Sequence, residues 1–301
     1  MSEWALRTRK RLTRLFLIWM TGCLRLFSRV MPYRAGICAG GVFGFVSYYL
    51  LRRERTRAHE HLEVAFGEKG PAWIRRTARR SFVHLGRSQF EVMMMSSRRL
   101  TRVVEVRGEE HFRAALARGK GVVFVTGHIG NWELMGHAVA AMNPGGLSVV
   151  AAPIEPKQVN DMIVDLRAGM GVRTILRNRP GAAKELIRIF RENRVLGILI
   201  DQDTDVESAF VEFMGRPAWT PTAAASMAIK FGAPLLFGYD HRDGDGTHTV
   251  IIEGPLELIR TGDHEKDVVA NTAMLTGKIE KAIRKDPEQW VWMHRRWRRQ
   301  P

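Results

Sequence analysis

The chain has 301 residues, room for one large domain or two modest ones, and its 45% apolar and 26% charged residues exclude collagen-like, coiled-coil and wholly disordered classes. Lys and Arg number 47 against 31 Asp and Glu, a formal net charge of +16, so the expected partner is anionic: a membrane surface, an acidic carrier protein or nucleic acid. With Cys23 and Cys38 as its only cysteines, the sequence has no disulfide framework and no zinc cluster, which favours a reducing compartment.

The N-terminal residues combine a basic flank with an apolar run. Five basic side chains stand against Glu3 alone in residues 1–14, and the apolar run Leu15–Cys23 follows directly. Arg25 and Arg29 interrupt the region where a secretory signal would carry its small-residue cleavage site. The pattern therefore predicts a retained membrane anchor with its basic end on the cytoplasmic side.

A second apolar stretch, Ala35–Leu51, carries no charge in 17 residues, at the short end of the ~17–25 residues that span a bilayer. Gly36, Gly40 and Gly44 recur at four-residue spacing, which lets another helix approach closely. Two interpretations stay open, a membrane helix and a core helix of a soluble protein. Residues 52–95 follow with a helical, amphipathic pattern whose basic clusters suit anionic lipid headgroups.

From about residue 101 short β-branched runs alternate with helical ones, which predicts an α/β fold: a mostly parallel sheet flanked by helices, closed by an antiparallel hairpin. The predicted strands are Gly121–Thr126, Leu147–Ala152, Val172–Ile175, Val195–Ile200, Pro234–Tyr239 and Thr247–Ile252. The predicted helices are Trp132–Met142, Val159–Ala168, Ala182–Glu192, Thr222–Phe231 and Asp263–Lys285. We accordingly divide the chain into an anchoring helical segment, residues 1–100, and an α/β domain, residues 101–301.

Ligands of open α/β sheets bind beyond the carboxyl ends of the strands, so the residues after each strand are the first candidates for chemistry. His128 follows the first predicted strand, and Glu133 lies in the first turn of the next helix. Histidine is a natural base near neutral pH, and a carboxylate can fix its tautomer. The structural alternative is a histidine satisfied near a helix start and a glutamate that favours the helix dipole.

A covalent serine or cysteine hydrolase lacks its nucleophile here, because no Gly-x-Ser-x-Gly elbow occurs and both cysteines precede the alternating region. The nucleophile is then supplied by a substrate, most simply as an alcohol or water. No dinucleotide loop or Walker loop occurs, and the chemistry needs no metal.

Six ordered blocks resemble the lipid A biosynthesis acyltransferases, the late lauroyl and myristoyl transferases within the lysophospholipid acyltransferase superfamily. The first is a His-(four residues)-Glu block, where the broader superfamily more often has Asp. The blocks are Gly127–Leu134, Leu166–Gly171, Arg177-Asn178, Asp201–Asp203, Val211–Thr222 and Pro287–Trp297. The resemblance covers essentially the whole chain.

The resemblance implies a glycerolipid-acyltransferase-like fold and transfer of an acyl chain from acyl carrier protein to a hydroxyl of a lipid A precursor. The reaction would take place at the cytoplasmic face of the inner membrane, without a cofactor. It implies that His128 is the general base and Glu133 its orienting partner. It also implies substrate-binding or supporting roles for further residues, namely Asn131, Arg167, Arg177 and Asp201. A guanidinium suits lipid phosphates or a developing oxyanion.

Alternatives stay open. Related enzymes acylate phosphatidylinositol mannoside or lysophospholipids, with acyl-CoA as a second possible donor. A hydrolase that activates water with His128 and Glu133 is a different class, and a basic binding module without catalysis is a third. The interleaved Trp and Arg side chains of residues 290–299 fit nucleic acid or a membrane interface, and the resemblance favours the membrane. The expected partners are therefore acyl carrier protein, a lipid acceptor and an anionic membrane, and not nucleic acid.

Overall fold

The computed structural model of the chain describes Gly22, residues 31–177 and residues 179–301. The predicted basic flank and the anchor run Leu15–Cys23 lie outside the described residues, apart from Gly22.

The described helices agree with the predicted ones to within two residues at each end wherever a helix was delimited. In chain order they are α1 (Tyr33–Leu50), α2 (Arg52–Phe66), α3 (Pro71–Met94), α4 (Ser97–Val103), α5 (Glu109–Leu116), α6 (Trp132–Ala141), α7 (Lys157–Ala168), α8 (Ala182–Arg191), α9 (Ala223–Phe231) and α10 (His264–Lys285). Short 3₁₀ segments follow α2 and α10, at Gly67–Lys69 and Pro287–Gln289.

The described strands are β1 (Val104–Arg107), β2 (Val122–Thr126), β3 (Leu147–Ala151), β4 (Val172–Leu176), β5 (Val195–Leu199), β6 (Ser208–Phe213), β7 (Arg216–Pro221), β8 (Leu235–Arg242) and β9 (His248–Leu256). In this part of the chain seven of them form one sheet in the order β1-β9-β8-β2-β5-β3-β4. Strands β8, β2, β5, β3 and β4 run parallel, β9 is antiparallel to β8, and β1 pairs parallel with β9. The predicted α/β fold is confirmed, including the hairpin at its end.

Helices cover both faces of this sheet. Every residue of β2 is buried, which is typical of a central parallel strand. Val123 belongs to the hydrophobic cluster that contains Ile279 of α10, whereas its neighbour Phe124 belongs to the cluster that contains Met135 of α6. Because successive side chains of a strand point to opposite faces, the two clusters lie on opposite sides of the sheet.

The hairpin of β6 and β7 was not predicted. Its turn residues Met214 and Gly215 both have positive φ, 53° and 75°, as a two-residue turn of the primed type requires. The favoured sequences for that turn are Asn-Gly and Asp-Gly, and a Met-Gly pair gives no such signal. Pro217 and Pro221 also occupy β7, where proline weakens a strand assignment.

The glycine face of α1 packs directly on α3, as the four-residue spacing predicted. A Cβ added at Gly40 would lie 2.6 Å from the carbonyl oxygen of Gly86, and one at Gly44 would lie 2.2 Å from that of Phe82. Both approaches are too close for any side chain, so the helix crossing depends on glycine at these positions.

No helix within residues 31–177 and 179–301 is by itself long and apolar enough to cross a bilayer; α1 and the adjoining Arg52–Lys69 meet that test only as a pair bent by 90°. Leu62 of α2 and Phe82 of α3 share a hydrophobic cluster with Val123, so the core extends across residue 100. The division at residue 100 stays a prediction.

Candidate active site

The site begins where two adjacent parallel strands end. Strands β2 and β5 pair in register up to Thr126 and Leu199, and each is followed two residues later by a polar side chain, His128 and Asp201. The Asp201 Oδ1 atom lies 2.8 Å from His128 Nδ1, and Oδ2 accepts a 2.6 Å hydrogen bond from the His128 backbone N–H. The sheet register therefore brings this imidazole and this carboxylate together.

Asp201 is 2% exposed and also accepts a 2.8 Å hydrogen bond from Trp290 Nε1. Burial alone would raise the pKa of the Asp201 carboxyl, but the charge of His128 and the hydrogen bonds from His128 and Trp290 hold it well below its usual range. The carboxylate is therefore ionised and acts as an acceptor. His128 Nδ1–H donates to it, which leaves the lone pair of His128 on Nε2.

Gln202 and His294 complete the surroundings of His128 Nε2. The Gln202 amide nitrogen lies 3.2 Å from His128 Nδ1 and 3.0 Å from His128 Nε2, so it does not lie along the lone pair of Nε2, and it donates to His294 Nε2 at 2.7 Å. Burial lowers the pKa of His294 to about 3, which keeps that ring neutral. The rings of Trp132 and His294 lie 4.8 and 4.9 Å from the His128 ring, whose side chain stays 17% exposed. Sequence reasoning missed Gln202, although it sits inside the quoted block Asp201–Asp203.

Glu133 does not take the place predicted for it. Its carboxylate accepts hydrogen bonds from Arg167 Nε at 2.8 Å and Arg167 Nη2 at 2.5 Å, and among the described residues none joins it to His128. Burial raises the pKa of Glu133, but the bonds from Arg167 outweigh it, so the pKa lies below its usual value. The predicted contact of Glu133 with His128 is wrong: Asp201 contacts the imidazole instead, because the first turn of α6 directs Glu133 onto the last turn of α7. The role of Glu133 in the reaction stays a prediction.

Asn131 has a structural role and not the substrate contact predicted for it. It is the N-cap of α6, where its Oδ1 accepts from the Leu134 N–H and its Nδ2 donates to Ser88 O and Glu91 Oε2. At 1% exposure its side chain has no face left for a ligand. Asparagine is a favoured N-cap residue, and that signal was available in the sequence.

Arg177 follows β4 at the same carboxyl edge of the sheet, with its backbone N–H donating to Ala151 O at 2.9 Å. Its half-buried side chain makes no hydrogen bond to His128, Asp201 or Glu133. Its role at the site stays a prediction.

A buried ionic cluster beneath the loop fixes Asn131. Arg242 donates two 2.5 Å hydrogen bonds to Glu91, and His248 lies between Glu91 and Asp240 at 3.2 and 2.9 Å. Burial lowers the pKa of His248, but the charge of Asp240 and its hydrogen bond raise it, with a net result of about 9, so the ring is cationic. Asp240 Oδ2 accepts from the Asn131 N–H at 2.6 Å. Sequence reasoning missed the cluster because its members come from α3, β8 and β9.

The C-terminal segment packs on the loop that carries His128. Trp290, Trp292 and Arg296 are at most 1% exposed, which corrects the prediction of an interfacial Trp/Arg surface for these three residues. Gly130 N–H donates to Gln289 O at 2.8 Å, and a β-bridge pairs Ile129 with Trp290. The segment therefore holds the loop that carries His128.

Arg296 is buried because its charged group is hydrogen-bonded within the protein. Its guanidinium donates to Trp219 O at 2.8 Å and to Thr220 Oγ1 at 2.7 Å, and it lies 4.8 Å over the ring of Phe213. Burial lowers the pKa of Arg296 to about 10, so the group remains charged at neutral pH. The arginine thereby ties the C-terminal segment to the β6–β7 hairpin.

An aspartate–histidine pair at the carboxyl edge of a helix-covered parallel sheet lies where α/β enzymes bind their substrates, and its residue types suit acid–base chemistry. A sequence model described as bacterial lipid A biosynthesis acyltransferase matches residues 5–299. The chain belongs to this family and is an O-acyltransferase, as the resemblance of the six blocks predicted.

Similar curated proteins carry two kinds of name. A phosphatidylinositol mannoside acyltransferase of Mycobacterium tuberculosis is 27% identical over 222 residues, 72% of this chain and 68% of that protein. The lipid A biosynthesis lauroyltransferase of Escherichia coli is 26% identical over 294 residues, 96% of this chain and 93% of that protein. The lipid A biosynthesis palmitoleoyltransferase of Escherichia coli is 24% identical over 298 residues, 94% and 92% of the two chains.

Proposed function

We propose that the protein transfers a fatty acyl chain from the thioester of acyl carrier protein to a hydroxyl group of a lipid A precursor. The observation that carries the proposal is the 2.8 Å contact of Asp201 with Nδ1 of a 17% exposed imidazole, which leaves the lone pair on Nε2 to accept from a substrate hydroxyl. The relatives named for lipid A align over nearly the whole chain. Phosphatidylinositol mannoside is the alternative acceptor, because the relative at 27% identity bears that name.

In the proposed mechanism His128 Nε2 takes the proton of the acceptor hydroxyl as its oxygen attacks the thioester carbonyl. The new C–O bond forms a tetrahedral intermediate, and the ionised Asp201 stabilises the imidazolium. Collapse of the intermediate breaks the C–S bond, and the leaving thiolate takes the proton back from Nε2. The ester and the free thiol carry every atom of the two substrates, and His128 returns to its starting state.

The two arginines of the site receive different proposed roles. Arg167 is already engaged with Glu133, so the pair positions α6 and α7 around the site. Arg177 forms no ion pair among the described residues, so its guanidinium is the better candidate to bind a phosphate of the acceptor or donor.

The setting we propose is the cytoplasmic face of the inner membrane. The net charge of +16 favours both an anionic bilayer and an acidic carrier protein, through electrostatic attraction and faster encounter. The chemistry proposed here requires no cofactor.

The test is mass spectrometry of lipids after incubation of detergent-solubilised protein with acyl carrier protein thioester and tetra-acylated lipid A precursor. We expect one added acyl chain with the wild type and none with His128→Ala. Parallel reactions replace the acceptor with phosphatidylinositol mannoside and the donor with acyl-CoA. Free fatty acid released regardless of acceptor would instead indicate a hydrolase, and full activity of His128→Ala would refute the base.

A further inference from the structure

A cationic pocket lies between the N-terminal helices and shares no lining residue with the surroundings of His128. It encloses about 490 Å³, and its walls belong to α1, α2 and α3. The lining residues, which we call the arginine pocket, are Tyr48, Tyr49, Arg55, His59, Ala72, Arg75, Arg76 and Arg79. None of them takes part in the hydrogen bonds of His128 or Asp201.

No acidic side chain within residues 31–177 and 179–301 pairs with the cations of this pocket. Among the described residues none of its four arginines forms an ion pair, whereas the adjacent Arg80 pairs with Glu288 at 3.0 Å. Arg55 donates to the carbonyl oxygens of Tyr48 and Tyr49, at 3.3 and 3.4 Å. Four like charges around one cavity repel each other, and an anionic ligand would relieve that repulsion.

An exposed apolar surface begins at the rim of the same pocket. The side of α1 opposite its glycine face carries large apolar residues that are 43% to 73% exposed. These residues, the α1 apolar face, are Val42, Phe43, Phe45, Val46, Tyr49 and Leu50. Tyr49 belongs to both features, and Arg79 lies 5.9 Å over the ring of Phe45.

A ligand that satisfies both surfaces is an amphiphile with an anionic head. Guanidinium groups bind phosphate through paired, charge-assisted hydrogen bonds, and an exposed apolar patch beside them suits acyl chains. A free phosphate or an acidic peptide would leave the α1 apolar face in water. We propose that the arginine pocket binds the phosphate headgroup of an anionic membrane phospholipid, with the acyl chains of that lipid along the α1 apolar face.

The experiment uses the full-length protein in dodecyl maltoside micelles doped with phosphatidylglycerol or phosphatidylcholine, and native mass spectrometry counts the lipid retained. The pocket variant is Arg75→Gln/Arg76→Gln/Arg79→Gln. The matched control, Arg118→Gln/Lys120→Gln/Arg191→Gln, removes three exposed cations at the amino ends of β2 and β5. We expect phosphatidylglycerol to be retained over phosphatidylcholine, and the pocket variant to lose about tenfold in apparent affinity while the control does not.

Further arms identify the ligand. Phe45→Ser/Val46→Ser weakens retention of phosphatidylglycerol, and glycerol phosphate at equal concentration does not displace the lipid. His128→Ala retains the lipid like the wild type, so loss of the acyltransferase reaction and loss of this site give different results. Equal losses in the pocket and control variants, equal retention of phosphatidylcholine, or displacement by glycerol phosphate would each overturn the proposal.

Discussion

The Asp201 carboxylate accepts three hydrogen bonds in a buried position, two from His128 and one from Trp290. The bond from the backbone N–H holds the loop of His128 in place, and the bond from Nδ1 sets the orientation and the tautomer of the imidazole ring. Because all three bonds depend on this side chain, most substitutions at Asp201 would disturb the loop as well as the charge. Asparagine has the same shape without the charge, so it separates the electrostatic role from the structural one.

We expect Asp201→Asn to lower kcat on the order of 10³-fold, because the amide does not stabilise an imidazolium and its NH₂ group favours the tautomer with the proton on Nε2. Steady-state kinetics with acyl carrier protein thioester measure the effect. Asp245→Asn, at the exposed turn between β8 and β9, is the matched control and keeps wild-type kcat. A kcat within a few-fold of wild type in Asp201→Asn would contradict the assigned role.

Glu133 and Arg167 form a largely buried ion pair, with side chains 17% and 16% exposed. Removal of one partner leaves the other charge buried and uncompensated. We therefore expect Glu133→Gln and Arg167→Gln to show a coupling of about 1 kcal/mol or more in the free energy of unfolding. A double-mutant cycle by urea denaturation measures it, and additive losses would show that the two side chains act independently.

The sequence could identify His128 and Asp201 separately but not as partners. The two lie in different blocks, and their contact depends on the pairing of β2 with β5, which is a property of the sheet order. The sequence points to Glu133 instead, because it shares one block of the resemblance with His128 and lies five residues away. Contacts at the ends of neighbouring parallel strands carry no local sequence signal.

At the scale of elements, the crossing of α1 and α3 depends on close backbone approach. We expect Gly44→Ala to destabilise the protein by ~1–3 kcal/mol, because the new Cβ would lie 2.2 Å from the carbonyl oxygen of Phe82. Gly277→Ala in α10 meets no atom within 4 Å, so the same substitution should stabilise by ~0.5–1 kcal/mol. Urea denaturation compares the two, and a loss of equal size in both variants would refute the packing argument.

The elements that were predicted best are those with strong periodicity. The buried run of β5 and the long amphipathic α10 were placed to within one or two residues. Strand β1 has four residues and a half-exposed pattern, too short for its alternation to be distinctive. The β6–β7 hairpin was not predicted because the pair Met214-Gly215 is not one of the usual sequences for a turn with two positive φ angles.

For the molecule as a whole, buried neutral histidines link stability to pH. Burial lowers the pKa of His61 to about 4 and of His84 to about 3, against 6.5 in the unfolded chain. Between pH 6.5 and 4 the unfolded chain takes up protons that the folded protein does not, so stability falls as the pH falls. His248 has the opposite effect, because its pKa is raised to about 9 in the folded protein. Its contribution to the free energy of unfolding is full below pH 6.5 and is lost as the pH rises through 9.

We expect the free energy of unfolding to decrease from pH 6.5 to pH 4.5. His61→Asn should reduce that decrease, because the amide replaces the 2.9 Å contact of His61 Nδ1 with Trp292 O and does not titrate. Urea titrations in detergent at a series of pH values measure both slopes. If the free energy of unfolding changes equally with pH in wild type and variant, His61 does not contribute to the pH dependence.

The contacts of the C-terminal segment with the site form last during synthesis of the chain. Trp290 donates to Asp201, Gln289 accepts from the loop of His128, and His294 shares the amide of Gln202. A nascent chain whose Trp290 is still inside the ribosome has its sheet strands but lacks these contacts. Under the proposed mechanism the contacts that hold His128 are therefore completed only when translation reaches this segment, so the enzyme becomes active at the end of its own synthesis.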